Sequence, residues 1–171
     1  MTARPLSAAI LLALLAGCVQ VPPPPPAPAL GLFWQGAGDW SVNRFPIDGT
    51  FYCSATRGTF GPDFAFNETP NGVVGWNVTD TTGRALPGAA YPVTLAFSPG
   101  GQLHYTASLQ APTRLGNLPA DSLTTAALPQ AIAQASSVQI SSPGLGPLGR
   151  FGLSGSSEAM ANLDRCAHGA L

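Results

Sequence analysis

The chain predicts a mainly β fold with minor α, an antiparallel β-sandwich or open barrel, and three observations carry that prediction. Apolar–polar alternation runs on both sides of Asp48-Gly49, and again on both sides of Pro99-Gly100-Gly101. Turn formers are abundant (20 Gly and 18 Pro) while charged residues make up only 9%, so turns should be frequent and long helices scarce. Near the C-terminus, Met160, Leu163 and Cys166 recur at three-residue spacing, which predicts one closing helix.

In the first hairpin Trp40 and Val42 alternate with Ser41 and Asn43, and beyond the turn Phe51, Cys53 and Ala55 alternate with Tyr52, Ser54 and Thr56. Cys53 therefore faces inward. Phe64 and Phe66 predict a third short strand, and Pro70-Asn71-Gly72 turns the chain into Val74, Trp76 and Val78 on one face. The second hairpin aligns Val93, Leu95 and Phe97 with Leu103, Tyr105, Ala107 and Leu109. It leaves Thr94, Ser98, His104, Thr106 and Ser108 on a wet, uncharged outer side.

Asp121-Ser122 can cap a short turn, and residues 129–135 predict a short helix with Pro129 at its first position. Val138 and Ile140 then predict a strand, a Gly/Pro loop follows, and Phe151 and Leu153 predict another strand. The last element is a helix near 156–166, with Ser156 as N-cap, Glu158 in the first turn, Arg165 in the last and Gly169 just beyond. It should lie across the sheet, stapled to the first hairpin through Cys166.

At the amino terminus Arg4 is the only charge before Cys18, and Leu6 to Leu15 is apolar but too short to span the roughly 30 Å hydrocarbon core as a helix. The run ends in Leu14-Leu15-Ala16-Gly17-Cys18, which resembles the lipobox of bacterial lipoproteins. That resemblance implies a signal peptide over residues 1–17 and a diacylglycerol on the Cys18 thiol, enough acyl chain for stable attachment to a membrane without a spanning helix. Val19, where an Asp would favour the inner membrane, implies the periplasmic face of the outer membrane. The prolines from Pro22 to Pro28 favour polyproline II and make residues 18–32 a stiff spacer of roughly 20 Å. One β-rich envelope domain is expected over 33–171.

The chain has no Lys, and its seven Arg face eight acids, so no basic patch favours nucleic acid or lipid head groups. With Cys18 assigned to lipid, Cys53 and Cys166 remain as an even pair in an oxidising compartment and predict a disulfide. A redox or metal pair is the rival, but the chain holds no C-x-x-C and both His are far from Cys53 in sequence.

No catalytic, metal or cofactor residues are expected. Gly144 to Gly149 fits G-x-G-x-x-G, yet Pro147 removes a donor and a strand follows where a phosphate cradle needs a helix N-terminus. Gly152-Leu153-Ser154-Gly155-Ser156 approaches a nucleophile elbow but ends in Ser where the motif wants Gly. His104 lacks an assignable nucleophile and orienting partner, and His168 is read as a solvated tail residue.

The segment from Leu128 to Cys166 combines a short helix, the Val138/Ile140 strand and Phe151-Gly152-Leu153-Ser154-Gly155 leading into the small-residue-rich helix through Ala159 and Leu163. It resembles the C-terminal part of invasion-associated-locus-B-like periplasmic proteins and related envelope domains. The resemblance implies a small β-sandwich-like envelope domain and supplies no active site. The expected function is a non-enzymatic, lipid-anchored binding or accessory protein that contacts an envelope protein or a small-molecule ligand. A periplasmic inhibitor of a cell-wall hydrolase is the alternative, although no loop carries the paired Ser-Gly and basic residues such inhibitors insert. A hydrolase ranks third.

Overall fold

The computed structural model describes residues 31–36, 38–47, 50–58, 63–117 and 122–169. The strands are β1 (Gly31–Gln35), β2 (Trp40–Ile47), β3 (Thr50–Arg57), β4 (Phe64–Glu68), β5 (Val74–Thr79), β6 (Tyr91–Ser98), β7 (Gln102–Ala111), β8 (Arg114–Asn117), β9 (Ser137–Ser142) and β10 (Gly146–Gly152). The helices are α1 (Ser122–Gln134) and α2 (Ser156–Ala167). The strands form one antiparallel open sheet in the order β1-β2-β3-β4-β5-β8-β7-β6-β9-β10.

Both hairpins follow the alternation. Ile47 pairs with Thr50 and Val42 with Ala55, so Trp40, Val42, Cys53 and Ala55 all face the core. Val93 pairs with Tyr105 and Leu95 with Leu103, which puts His104 and Thr106 on the opposite, exposed side. β7 is long enough to serve two neighbours. Its first part pairs with β6 and its last residues with β8, through a register shift between Leu109 and Ala111. The sheet curls so that β10 and the segment after it approach β2–β5 across the core. Phe64 stacks on Phe151 at 5.4 Å between ring centroids, and Trp40 Nε1 donates to the Ser154 carbonyl at 2.9 Å. The Arg57 guanidinium donates to the Gly152 carbonyl at the same junction.

α2 lies across β2 and β3, while α1 packs on β5 and α2. The stripe predicted for α2 is the buried one: Leu163 and Cys166 are fully buried and Met160 packs against the core. Cys166 is bonded to Cys53, with Cα atoms 6.0 Å apart.

Three local expectations are corrected. The helix expected over 129–135 spans Ser122–Gln134, so Pro129 stands in its interior and not at its first position. An interior Pro costs about 3 kcal/mol, but burial of Leu128 and Ile132, one turn apart, returns about 1.5–3 kcal/mol each. Ser156 is not the N-cap of α2. Gly155 holds that position with a left-handed φ of 83°, which glycine adopts without steric cost, and Ser156 is the first helical residue, buried. The Gly/Pro loop after β9 is mostly strand: Gly146 pairs with Ser142 and Pro147 with Ser141. β10 is an edge strand, where a proline forfeits no ladder bond, and a register shift between Pro147 and Gly149 accommodates the ring.

Leu163→Ala should destabilise the fold by about 2–5 kcal/mol, the range for a buried leucine truncation. Urea unfolding checks it, and a loss below about 1 kcal/mol would place α2 outside the core.

Candidate functional site

The residues nominated from sequence do not assemble a catalytic centre. Ser154 is exposed and its backbone carbonyl is taken by Trp40. Ser156 opens α2 and His168 follows its last turn, so twelve residues of helix separate them by about 18 Å, far beyond nucleophile–base contact. His104 is exposed on β7, and its Nδ1 lies 3.1 Å from Thr94 Oγ1. Gly144 to Gly149 leads from a turn into β10, with Leu145 and Leu148 buried, so no helix N-terminus faces a phosphate there. Cys18 lies outside the described residues.

Three surface grooves formed by described residues are open and poor in ionisable groups. The one between the β6–β7 turn and α1 holds about 240 Å³, below the roughly 300–1,000 Å³ of small-molecule pockets, and is lined by Phe97, Pro99, Leu103, Gln130 and Gln134. Two larger shallow grooves, of about 410 and 420 Å³, contain Arg150 as their one charged side chain.

Charge gathers instead beneath the C-terminal end of α2. Arg44 pairs with Cys53 across β2 and β3, and Cys53 pairs with Glu68 across β3 and β4. The alternation that turns Val42 and Phe66 inward turns Arg44 and Glu68 inward as well, and both are buried. Arg44 Nη2 donates to the Cys166 carbonyl at 2.8 Å. Its guanidinium carbon sits 4.5 Å from the Phe51 ring centroid and 5.6 Å from that of Phe33. A helix C-terminus carries partial negative charge and aromatic faces attract cations, so this buried cation is compensated without a carboxylate.

Glu68 is left without such compensation. It is only 5% exposed, forms no hydrogen bond or ion pair among the described residues, and is separated from Arg44 by the width of β3. Its carboxylate faces Asp164 and His168, with one ligand-capable atom of each residue within 4.8 Å of the others. His168 Nδ1 is 3.2 Å from Asp164 Oδ1 and 3.0 Å from the Asp164 carbonyl. Burial first, and then the Asp164 charge, push the Glu68 carboxyl above the usual carboxylate range, while His168 pulls it partly back.

Two other polar clusters brace the fold. Arg114 bonds Asp63 at 2.5 Å and Asn77 at 2.8 Å, and so ties the chain entering β4 to β5 and β8. Asp80 accepts from Thr82 and from the Ala85 amide. Burial works against its ionisation, but these bonds hold its carboxyl below the usual range.

Sequence reasoning missed Arg44 and Glu68. The signal was available, since each stands two residues beyond a residue already placed inward, Val42 and Phe66. Asp164 carried no separate signal, and His168, read as a solvated tail residue, proves to be half-exposed and paired with Asp164.

No family model matches this sequence, and no curated protein matches it. The structure is similar to the crystal structure of invasion associated protein b from Bartonella henselae, with a TM-score of 0.51 and 19% identity over 76% of this chain and 93% of that one. At that identity the likeness concerns the fold. It extends over three quarters of the chain a resemblance that the sequence carried only in its C-terminal quarter.

The raised Glu68 pKa has a definite sign. The folded state holds the proton more tightly than the unfolded chain, so Glu68 contributes no penalty below its ordinary 4.5, and stability falls as pH rises through the folded value. In chelator-containing buffer, Glu68→Gln should therefore flatten the decline of unfolding free energy between acid and neutral pH. Denaturant titrations across that range measure it; an unchanged slope would mean that Glu68 titrates normally.

Proposed function

We propose that the chain is a lipid-anchored bacterial envelope protein whose β-rich domain is a non-catalytic binding module on the periplasmic face of the outer membrane. The observation that carries the reading is Leu14-Leu15-Ala16-Gly17-Cys18, followed directly by the proline spacer. The buried Cys53–Cys166 bridge supports it, because disulfides persist in oxidising compartments. No helix among the described residues is long and apolar enough to cross a membrane, and in this reading attachment falls to the acyl chains of Cys18.

A binding role is favoured by the surface. The side of β6 and β7 facing away from the core carries Thr94, His104, Thr106 and Ser108, a hydroxyl-rich face without Asp, Glu, Lys or Arg among these residues. Such a face suits hydrogen bonding to a neutral partner, such as an envelope protein or a small polar ligand.

Two measurements test the reading. Intact-mass spectrometry of the native product should find Cys18 as the first residue with diacylglycerol attached, and a chain starting at Met1 without acyl groups would overturn the anchor. Photo-crosslinking from Thr106 in living cells should give discrete adducts that are absent from Pro87, exposed on another loop. Labelling of Ser154 or Ser156 by a serine-hydrolase probe would replace the binding role with catalysis.

A further inference from the structure

We infer that Glu68, Asp164 and His168 form a binding site for one divalent transition-metal ion of the Zn²⁺ class, clamping the C-terminal end of α2 to β4. Two of the three side chains come from the end of one helix at i and i+4, a spacing that places both on the same face. The third rises from the inward face of β4 beneath them.

The observation that points to a cation is Glu68, which as a residue is almost fully buried and must either hold a proton or meet positive charge. A carboxylate 5% exposed, with no donor among the described residues, is costly to bury unless positive charge faces it. Arg44 does not supply that charge: β3 separates the two residues, and the guanidinium is turned through Nη2 to the Cys166 carbonyl and to the rings of Phe51 and Phe33, its buried Nε without a partner. What Glu68 does face is a second carboxylate and an imidazole, with ligand-capable atoms no more than 4.8 Å apart.

The donor set and its spacing fit zinc. Zn²⁺ binds His nitrogen and carboxylate oxygen at about 2.0–2.2 Å with tetrahedral geometry, which puts neighbouring ligand atoms about 3.3 Å apart. The Asp164 Oδ1 to His168 Nδ1 distance of 3.2 Å is close to that edge, and ligand-capable atoms up to 4.8 Å apart would have to close by as much as about 1.5 Å around the ion. One imidazole with two carboxylates is a borderline set, softer than the all-oxygen sites of Mg²⁺ and Ca²⁺. The last carbonyls of α2 add partial negative charge. Asp164 and His168 are exposed on their outer sides, which leaves the fourth position to water or to a donor from a partner.

Isothermal titration of the full chain, stripped with chelator and held in detergent, tests the site with ZnCl₂ as the probe. Wild type should bind one Zn²⁺ per chain with a rise in Tm. His168→Ala, at an exposed position that the fold tolerates, and Asp164→Asn should each weaken binding by more than about tenfold, the lower end of what loss of even an outer-shell partner costs. His104→Ala should bind like wild type. Absence of Zn²⁺ binding by the folded wild type, or His168→Ala binding as tightly as wild type, would overturn the site. Neither result bears on the lipid anchor, which mass spectrometry decides separately.

Discussion

Where Cys166 meets Cys53, the end of α2 is pinned to the middle of a row of three inward residues, Arg44, Cys53 and Glu68, on consecutive strands. Cys53 and Cys166 are 113 positions apart in sequence, a loop whose closure restricts the unfolded chain by about 4–5 kcal/mol in the chain-entropy model. The local effect matters as much. The bridge holds the last helical carbonyls over Arg44 and holds Asp164 and His168 over Glu68. The bridge adds to the hold that buried Ala159 and Leu163 already give α2 on β2 and β3.

That arrangement explains how a chain with so few charged residues tolerates two of them beneath a helix. Burying an ion is expensive, and an ion pair is the usual compensation. Here β3 keeps the two apart and they are treated differently: Arg44 meets a carbonyl and two aromatic faces, whereas Glu68 faces Asp164 and His168 and has no hydrogen-bond donor among the described residues. The rest of the core is apolar and continuous, from Trp40 and Phe66 through Phe64 and Phe151 to Leu95 and Ile140. The other buried acid, Asp80, lies away from this row and is held by its own hydrogen bonds from Thr82 and the Ala85 amide.

Much of this fold was legible in the sequence, because two-residue periodicity and turn residues act locally. The two hairpins, the Val74–Val78 face and the α2 stripe all follow from such signals. The misreadings came where a tertiary term outweighed a local one. Pro129 reads as a helix start until the burial of Leu128 and Ile132 is known, and Pro147 reads as loop until β10 is known to lie at an edge. The polar cluster was half legible: alternation turns Arg44 and Glu68 inward, and the Cys53–Cys166 staple puts the C-terminal end of the closing helix on the first hairpin. What no local signal gives is the pairing of Glu68 beside Cys53, which brings Asp164 and His168 against it.

The bridge also fixes how the molecule can be taken apart. Everything from Cys53 to Cys166 belongs to one covalent ring, and the exposed loop at residues 83–90 lies inside it. A protease that nicks that loop produces two fragments which stay joined until a reductant arrives. Detachment of the intact domain from whatever holds its amino terminus therefore requires a cut on the N-terminal side of Cys53. Shedding and internal clipping are in this way separate events, told apart on a gel by whether thiol is needed to part the pieces.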